Sequence, residues 1–534
     1  MRKEEDMSSL WILSPVLVAW AAGAFLLIWS FREHLRQKVS KEQLAGSAKQ
    51  IPAADTPDGL SREPRVRTVH GLAISALLAA ALLALWVAWS GDGNVILFYL
   101  MKDIPIYFRI DNIGRWFVTL VTVVWVPVGI YSTLYMRHEG EEKRFFGFYL
   151  LLYGVLVCLD FAGNLVTMYL FYELMTLTSF PLVLHNGSRE AIMAALKYLF
   201  YSLCGAYMGL FGIFFLHRFC GNLAFVPGGI LSQDVIGRHG GILLAAVMLM
   251  LIGFGAKAGM FPLHAWLPTA HPVAPSPASA ALSGIIVKSG VLAIIRVVYY
   301  IVGPDFLRGT WVQYTWMVLS LTTIFMGSLL AYRETILKKR LAYSTVSNLS
   351  YILFGLAVLS PTGFTGALLH VAFHGVVKCG LFLTAGIFLF CRNKTKVEEL
   401  TGIGQKMPAV LWCYTLLSLA LIGIPPTGGF VSKWYLAQGA LEANLGPWSY
   451  AGPVILLISA LLTAGYLLPL VTKGFFPGEP GQDQESEDIV TERKKPGAAM
   501  LIPLLILTAL ALVMGLFPNA LIEYANKISN MLLQ

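Results

Sequence analysis

The chain is divided into a long series of continuous apolar runs, each about 20 residues long, and this limits its fold more than any other feature. A bilayer core about 30 Å thick is crossed by about 20 helical residues. Within that core every main-chain N–H and C=O must be satisfied by the segment itself, which leaves only helices or closed barrels. Barrel strands alternate polar and apolar residues over about ten positions; these runs do not alternate. The sequence therefore predicts an all-α polytopic membrane protein. Of the 534 residues, 57% are hydrophobic and 13% charged, against about 25% charged for a soluble globule.

About fourteen spans are expected, near residues 9–31, 69–90, 112–136, 144–162, 164–185, 190–217, 241–262, 277–301, 311–331, 340–359, 363–390, 409–438, 450–472 and 498–517. The first follows MRKEED, a flank of mixed charge, and its apolar run from Leu10 to Trp29 exceeds a signal-peptide core. Only a short hinge near Asp160 to Asn164 separates the fourth span from the fifth. Loops after odd-numbered spans carry the Lys and Arg: eight lie between Arg32 and Thr68, and Arg333, Lys338, Lys339 and Arg340 follow the ninth span. The loop after the eleventh holds Arg392, Lys394, Lys396 and Lys406. Positive loops stay inside, so odd loops are expected in the cytoplasm and both termini outside.

Two spans read as broken. GFGAKAGMFPLHAWLP interrupts the seventh, and LIGIPPTGGFVSKWYL the twelfth. Glycine and proline open the helical ladder, which is tolerated at membrane depth where the backbone lines a cavity. Matching breaks in two halves suggest an inverted repeat, here five spans against five, spans four to eight and nine to thirteen.

Several function classes are excluded. The +9 net charge is spread over short loops, with no basic patch of the kind that binds nucleic acid. The six cysteines include no CxxC pair for a cluster or zinc. GxGxxG and GxxxxGK[ST] are absent; the glycines at 253, 255 and 259 lie in a span with no preceding strand. The chain therefore carries no visible redox, nucleotide or hydrolytic site of its own.

The ionisable residues inside the spans carry the functional signal. His370, His374 and Lys378 stand four apart in LLHVAFHGVVKCGLFLTAG, on one helical face. A cation at the bilayer centre costs roughly 2.5–3.5 kcal/mol on the lenient insertion scale, so three titratable groups along one face point to charge movement. Glu173 lies in MYLFYELMTLTSF, Lys257 beside the first break, Lys288 in ALSGIIVKSGVLAIIR and Lys433 after the second break. Each has a structural alternative, such as an interfacial ion pair or a snorkelling lysine. Lys197, close to a membrane face, suits either reading. Arg296 is better placed for a structural or headgroup contact. His264 and His271 frame HAWLPTAHPVAPSP; with no carboxylate or cysteine nearby they suit a structural or relay role better than metal binding. HxxxH at 370–374 lacks the glutamate of HExxH, and Lys378 on its face would repel a cation. A Glu–Lys pair of variable separation is a proton switch, because a near carboxylate holds the lysine proton and a withdrawn one releases it.

At these residues the chain resembles a family. FYELMTLTSF, KAGMFPLHAWLPTAHPVAPSP, AALSGIIVKSG, LKKRLAYSTVSNLSYI, HVAFHGVVKCGLFLTAG and GIPPTGGFVSKW are similar to the antiporter-like subunits of the complex I superfamily. That family takes in respiratory NADH–quinone oxidoreductases, membrane-bound hydrogenases, formate hydrogenlyases and multisubunit Na+/H+ antiporters. The resemblance covers roughly residues 100–475. It implies fourteen helices with two inverted five-helix repeats at about 144–301 and 311–472 and broken helices seven and twelve. Residues 1–111 would be N-terminal helices with the cytoplasmic loop 32–68, 112–475 the antiporter-like core, and 476–534 a polar loop and last helix.

By resemblance, Glu173 and Lys257 match a carboxylate–lysine pair, Lys288 and the helix of His370, His374 and Lys378 a central relay, and Lys433 an exit residue. Tyr172 stands where many members have tryptophan, and Thr269 where many have an acidic residue. The basic 32–68 loop is unusual. The 16 residues after Pro518 are too few for the lateral helix of the distal complex I subunit. HPVAPSP and LSGIIVKSG lean towards hydrogenase-type and antiporter-type members.

The expected function is proton (or sodium) translocation within a multi-subunit, redox-driven complex in a prokaryotic cytoplasmic (inner) membrane. The resemblance implies no cofactor in this chain, with iron–sulfur, flavin or NiFe centres in partners. Expected partners are further antiporter-like and small helical subunits, peripheral redox subunits and membrane lipid. Two alternatives stand beside it: a Na+/H+ antiporter subunit without redox partner, and a membrane module energising a soluble partner such as one for inorganic-carbon uptake.

Overall fold

The computed structural model describes residues 10–46, 58–477 and 495–533, with the backbone path alone at 39–46 and 58–65. In chain order its main elements are α1 (Ser14–Gly46), α2 (Asp58–Trp89), strands β1 (Asn94–Met101) and β2 (Ile104–Arg109), α3 (Asn112–Glu139), α4 (Glu142–Asp160), α5 (Leu165–Val183), α6 (Arg189–Cys220), α7 (Gln233–Lys257) and α8 (Leu267–Val273). There follow α9 (Ser276–Val302), α10 (Trp311–Arg333), α11 (Leu337–Ala357), α12 (Pro361–Arg392), α13 (Pro408–Ile422), α14 (Gly428–Glu442), α15 (Trp448–Phe475), α16 (Ala498–Leu516) and α17 (Asn519–Leu533).

Eleven helices among the described residues are long and apolar enough to cross a membrane: α1, α2, α3, α5, α6, α7, α9, α10, α12, α15 and α16. The expected fourth, tenth and twelfth spans are helical but are not among these eleven. α4 opens with Glu142, Lys143 and Arg144, and α11 carries Lys338, Lys339 and Arg340 in its first turn. The twelfth is split into α13 and α14. Caps at the helix starts are read directly from the sequence: Asp111, Asn164, Ser188, Ser232 and Ser360 each accept a main-chain N–H three residues on.

Two expectations are corrected, and two elements are added. Residues 32–46 continue α1 and 58–68 open α2, so the basic stretch is largely helical rather than a loop; its central part, 47–57, lies outside the described residues. Lys338 and Arg340 are buried in α11, donating to Ala274 O at 3.0 Å and Tyr466 O at 2.7 Å. The 91–111 connection holds an antiparallel hairpin pairing Asn94 with Arg109 and Met101 with Ile104. NVILFYLM is rich in β-branched and aromatic residues, which suits a pleated strand. After Pro518 the chain forms α17, a helix packed on α12.

All of the apolar stretch of α9 is buried, and 89% of that of α12, against 33% for α7 and for α15. α9 and α12 are therefore the central pair, and they carry Lys288, His370, His374 and Lys378. α9 contains two π-helical stretches, Leu282–Ile286 and Arg296–Val302; such wide turns often mark functional places in a helix.

Candidate functional site

The first break sets up Lys257. α7 ends at this residue, Gly259 takes a left-handed φ of 73°, and the chain re-enters helix at Leu267. Gly205 and Gly209 on α6 meet Gly253 on α7, where a Cβ would stand 3.1 Å from the Gly209 nitrogen. Such a small-residue contact lets helices approach closely in lipid. The approach puts the lysine among hydroxyls: Lys257 Nζ donates to Thr176 Oγ1 (2.9 Å), Tyr198 OH (2.8 Å) and Ser202 Oγ (3.1 Å). It also lies 4.5 Å from the centre of the Tyr198 ring and 5.9 Å from that of Tyr172. Lys257 is fully buried and all three ammonium protons have acceptors. Among the described residues no ion pair joins it to Glu173. Glu173 is half-buried, and its Oε1 is enclosed without a hydrogen-bond partner.

A hydrogen-bonded line runs through the middle of the protein along α11. Lys288 Nζ donates to Ser283 O at 3.1 Å, and Ser283 Oγ bonds Thr345 Oγ1 at 2.7 Å. Thr345 Oγ1 donates to Leu341 O, which also accepts from Lys378 Nζ at 2.8 Å. Lys378 donates in addition to Ser344 Oγ. Asn348 Nδ2 bonds Ser344 O at 2.8 Å, and its Oδ1 meets His370 Nε2 at 3.3 Å. His370 Nδ1 then pairs with Ser432 Oγ at 2.9 Å, next to Lys433. The ring of Tyr351 stacks on His370 at 5.4 Å, and Lys433 Nζ lies 5.2 Å from its centre.

The second break is built differently. In an unbroken helix Leu421 O and Ile422 O would accept from the N–H of residues 425 and 426. Both are proline and have no N–H. Lys433 Nζ donates to these two carbonyls, at 2.8 and 2.7 Å. The lysine thus satisfies main-chain groups that the prolines leave open.

The structure therefore joins Lys288, Lys378 and His370 in one hydrogen-bonded network, sets Lys433 at its end beside Ser432 and the Tyr351 ring, and leaves Lys257 in a separate hydroxyl pocket. His374 is buried against His370, ring centres 5.8 Å apart, with neither ring nitrogen bonded. His271 is buried and stacked on Phe382 at 4.7 Å, again with both nitrogens unbonded. His264 and Lys197 are half-buried, with no bond to the central line. Arg296 is structural: it forms a buried two-pronged ion pair with Asp111, the cap of α3, and packs on Phe225 and Tyr300. Burial alone would raise the Asp111 carboxyl; the Arg296 charge and hydrogen bonds, the Gly114 N–H and the Arg109 charge together outweigh it and hold the group below its ordinary value.

Sequence reasoning did not single out Ser344, Thr345 and Asn348, or Thr176, Tyr198 and Ser202. The signal for the first three was present. Positions 344, 345 and 348 of LKKRLAYSTVSNLSYI share one helical face, and a polar stripe on a buried helix needs partners.

Residues 162–463 match the family described as "NADH:quinone oxidoreductase/Mrp antiporter, TM", and residues 101–146 match "NADH-Ubiquinone oxidoreductase (complex I), chain 5 N-terminus". The chain is 32% identical to NADH-quinone oxidoreductase subunit N of Desulforudis audaxviator over 424 residues, 78% of this chain and 82% of that protein. It is 30% identical to hydrogenase-4 component B of Escherichia coli, over 76% of this chain and 62% of that one. Its fold matches a chain of the Mrp complex from Dietzia sp. with a TM-score of 0.79 at 22% identity, covering 99% of this chain and 98% of that chain. The chain belongs to the NADH:quinone oxidoreductase and Mrp antiporter family of membrane subunits.

Proposed function

We propose that this chain translocates protons across a prokaryotic cytoplasmic membrane as one subunit of a multi-subunit complex. The line from Lys288 through Ser283, Thr345, Lys378, Ser344, Asn348 and His370 to Ser432 beside Lys433 carries this reading. Its titratable members are lysines and a histidine, linked by hydroxyls, by the Asn348 amide and by the carbonyls Ser283 O, Leu341 O and Ser344 O; the carbonyls hold the chain together without relaying protons, so a proton crosses them by movement of the ammonium groups. Lys257 and Glu173 form the loading end. Held by hydroxyls alone, Lys257 is in the separated arrangement of a carboxylate–lysine switch; the approach of Glu173 would stabilise its charged form. A row of cations so far inside a membrane is costly unless it has a task.

The driving reaction resides in partner subunits. The match to NADH-quinone oxidoreductase subunit N and hydrogenase-4 component B favours redox partners with metal or flavin centres. The reference to Mrp antiporters in the family description supports the second reading, an antiporter subunit without redox chemistry.

The test is proton uptake by proteoliposomes holding the purified complex. Asn348→Leu removes the only side-chain link between Ser344 and His370 in this line. It should cut translocation about tenfold or more while assembly persists, since a positioned proton-transfer group contributes about a hundredfold or more. Ser347→Ala, which touches Ser328 and Ser459 on the other side of α11, should leave it unchanged. Equal activity in both variants would sink the route. The co-purifying subunits decide the driver: iron–sulfur proteins support the first reading, and small membrane subunits alone support the second.

A further inference from the structure

At the end of the protein where the hairpin covers the start of α3, two cavities lie side by side along α3 and α17. One is apolar, 380 Å³ in volume, with Trp89, Trp116, Leu120, Val376, Leu521 and Tyr524 in its wall. The other, 530 Å³, is polar and is lined by Arg109, Arg115 and Lys527 together with Asp92 and Asp111. They adjoin at Tyr524, whose ring faces the first and whose hydroxyl donates to Asn112 Oδ1, in the wall of the second, at 3.3 Å. From residue 112 to residue 123 the helix rises about 16 Å. Half a bilayer with its headgroups is about 20–22 Å.

Three features specify an occupant. The first is charge. Asp111 pairs with the buried Arg296 and, at 3.7 Å, with Arg109, and Asp92 pairs with Arg115 at 2.6 Å; with Lys527, four cations stand against two carboxylates around the polar cavity, an excess of positive charge. The second is a missing acceptor. The Trp116 indole N–H is buried without a partner, whereas Trp89 Nε1 donates to Thr119 at 3.1 Å. Buried donors are rarely left unpaired. The third is position. Tyr524 lies between Trp89, at 5.4 Å, and Trp116, stacked at 6.1 Å, and such aromatic clusters sit at headgroup level.

We propose that the paired cavities bind one anionic diacyl phospholipid. Its phosphate lies among Lys527, Arg109 and Arg115, and an ester carbonyl accepts from Trp116 Nε1. One acyl chain fills the apolar cavity against Ala372 and Val376. Those residues are on α12, the helix of His370, His374 and Lys378, so the lipid would fill the void behind the relay and brace it.

The test uses the full chain purified in detergent, stripped of lipid, and followed by native mass spectrometry on adding phosphatidylglycerol, phosphatidylcholine or inorganic phosphate. Phosphatidylglycerol should bind one per chain, at least about fivefold more tightly than phosphatidylcholine. Lys527→Gln should weaken phosphatidylglycerol about fivefold, the value of roughly one surface cation against an anionic lipid, and leave phosphatidylcholine unchanged. Ala520→Trp, at an exposed position in the apolar wall, should abolish binding of both lipids; Val123→Phe fills the same cavity if that variant does not fold. Equal binding of both lipids, no effect of Lys527→Gln, or full retention after the cavity is filled would each overturn the proposal. Inorganic phosphate binding as tightly as phosphatidylglycerol would overturn it too, because the acyl chain would then contribute nothing.

Discussion

The two broken helices look alike in sequence, yet they hold their lysines by opposite means. At the first break the last helical carbonyls are satisfied from within the loop. Gly259 N and Trp266 Nε1 donate to Ala256 O, and Met260 N donates to Gly255 O. The Gly255 and Ala256 carbonyls are thus taken, and Lys257 turns to the hydroxyls of α5 and α6. At the second break two consecutive prolines supply no N–H, and Lys433 closes the gap with its ammonium group. Lys257 is thus free to change partners, because hydroxyls can bond one another when it leaves; Ser179 and Tyr198 already do so at 2.6 Å. Lys433 cannot lose its donors without exposing two main-chain carbonyls. One lysine is held by side-chain hydroxyls, as the proposed switch requires, and the other closes two main-chain carbonyls.

The largest expected effect tests the switch. Lys257→Ala and Glu173→Gln should each reduce proton translocation by about a hundredfold, the low end of what a positioned proton-transfer group contributes, with assembly intact. Flux assays on reconstituted protein decide this, and normal pumping in either variant would remove the first break from the pathway.

The next effect concerns stability. Each buried group left without its hydrogen bond costs about 1–3 kcal/mol. Lys433→Met should therefore destabilise the protein by about 2 kcal/mol more than Lys257→Met, measured by unfolding in mixed detergent. The loss should shrink in a Pro425→Ala/Pro426→Ala background, where main-chain N–H groups return. An unchanged loss there would show that Lys433 is not acting as a cap.

The smallest effect separates the hydroxyls. Ser202→Ala removes the longest of the three Lys257 bonds and should cost about 0.5–1.5 kcal/mol, the net value of one hydrogen bond, with flux reduced less than threefold. A Ser202→Ala flux as low as that of Lys257→Ala would mean that this hydroxyl carries protons rather than holding a lysine.

Much was legible from the sequence for identifiable reasons. A membrane span must bury about 20 apolar residues, so most spans could be placed by length and hydropathy alone. Glycine and proline act on the backbone locally, so both breaks were visible as well. Charge inside a span is costly, and that marked Glu173, Lys257, Lys288, His370, His374, Lys378 and Lys433. The hairpin at 94–109 and the helix after Pro518 escaped this reasoning because neither is a membrane span.

Only the tertiary structure decided who bonds whom. Ser, Thr, Asn and Tyr are ordinary residues in sequence; Asn348 matters because α12 places His370 against it, and Ser202 because α6 and α7 touch through glycines. Two lysines beside similar breaks could not be told apart from composition, since their partners come from distant parts of the chain or from carbonyls that every residue has. Hydrophobicity and backbone chemistry are local and add along a sequence, so they were readable. Hydrogen bonds are directional and act over about 3 Å, so they existed only once the helices had packed.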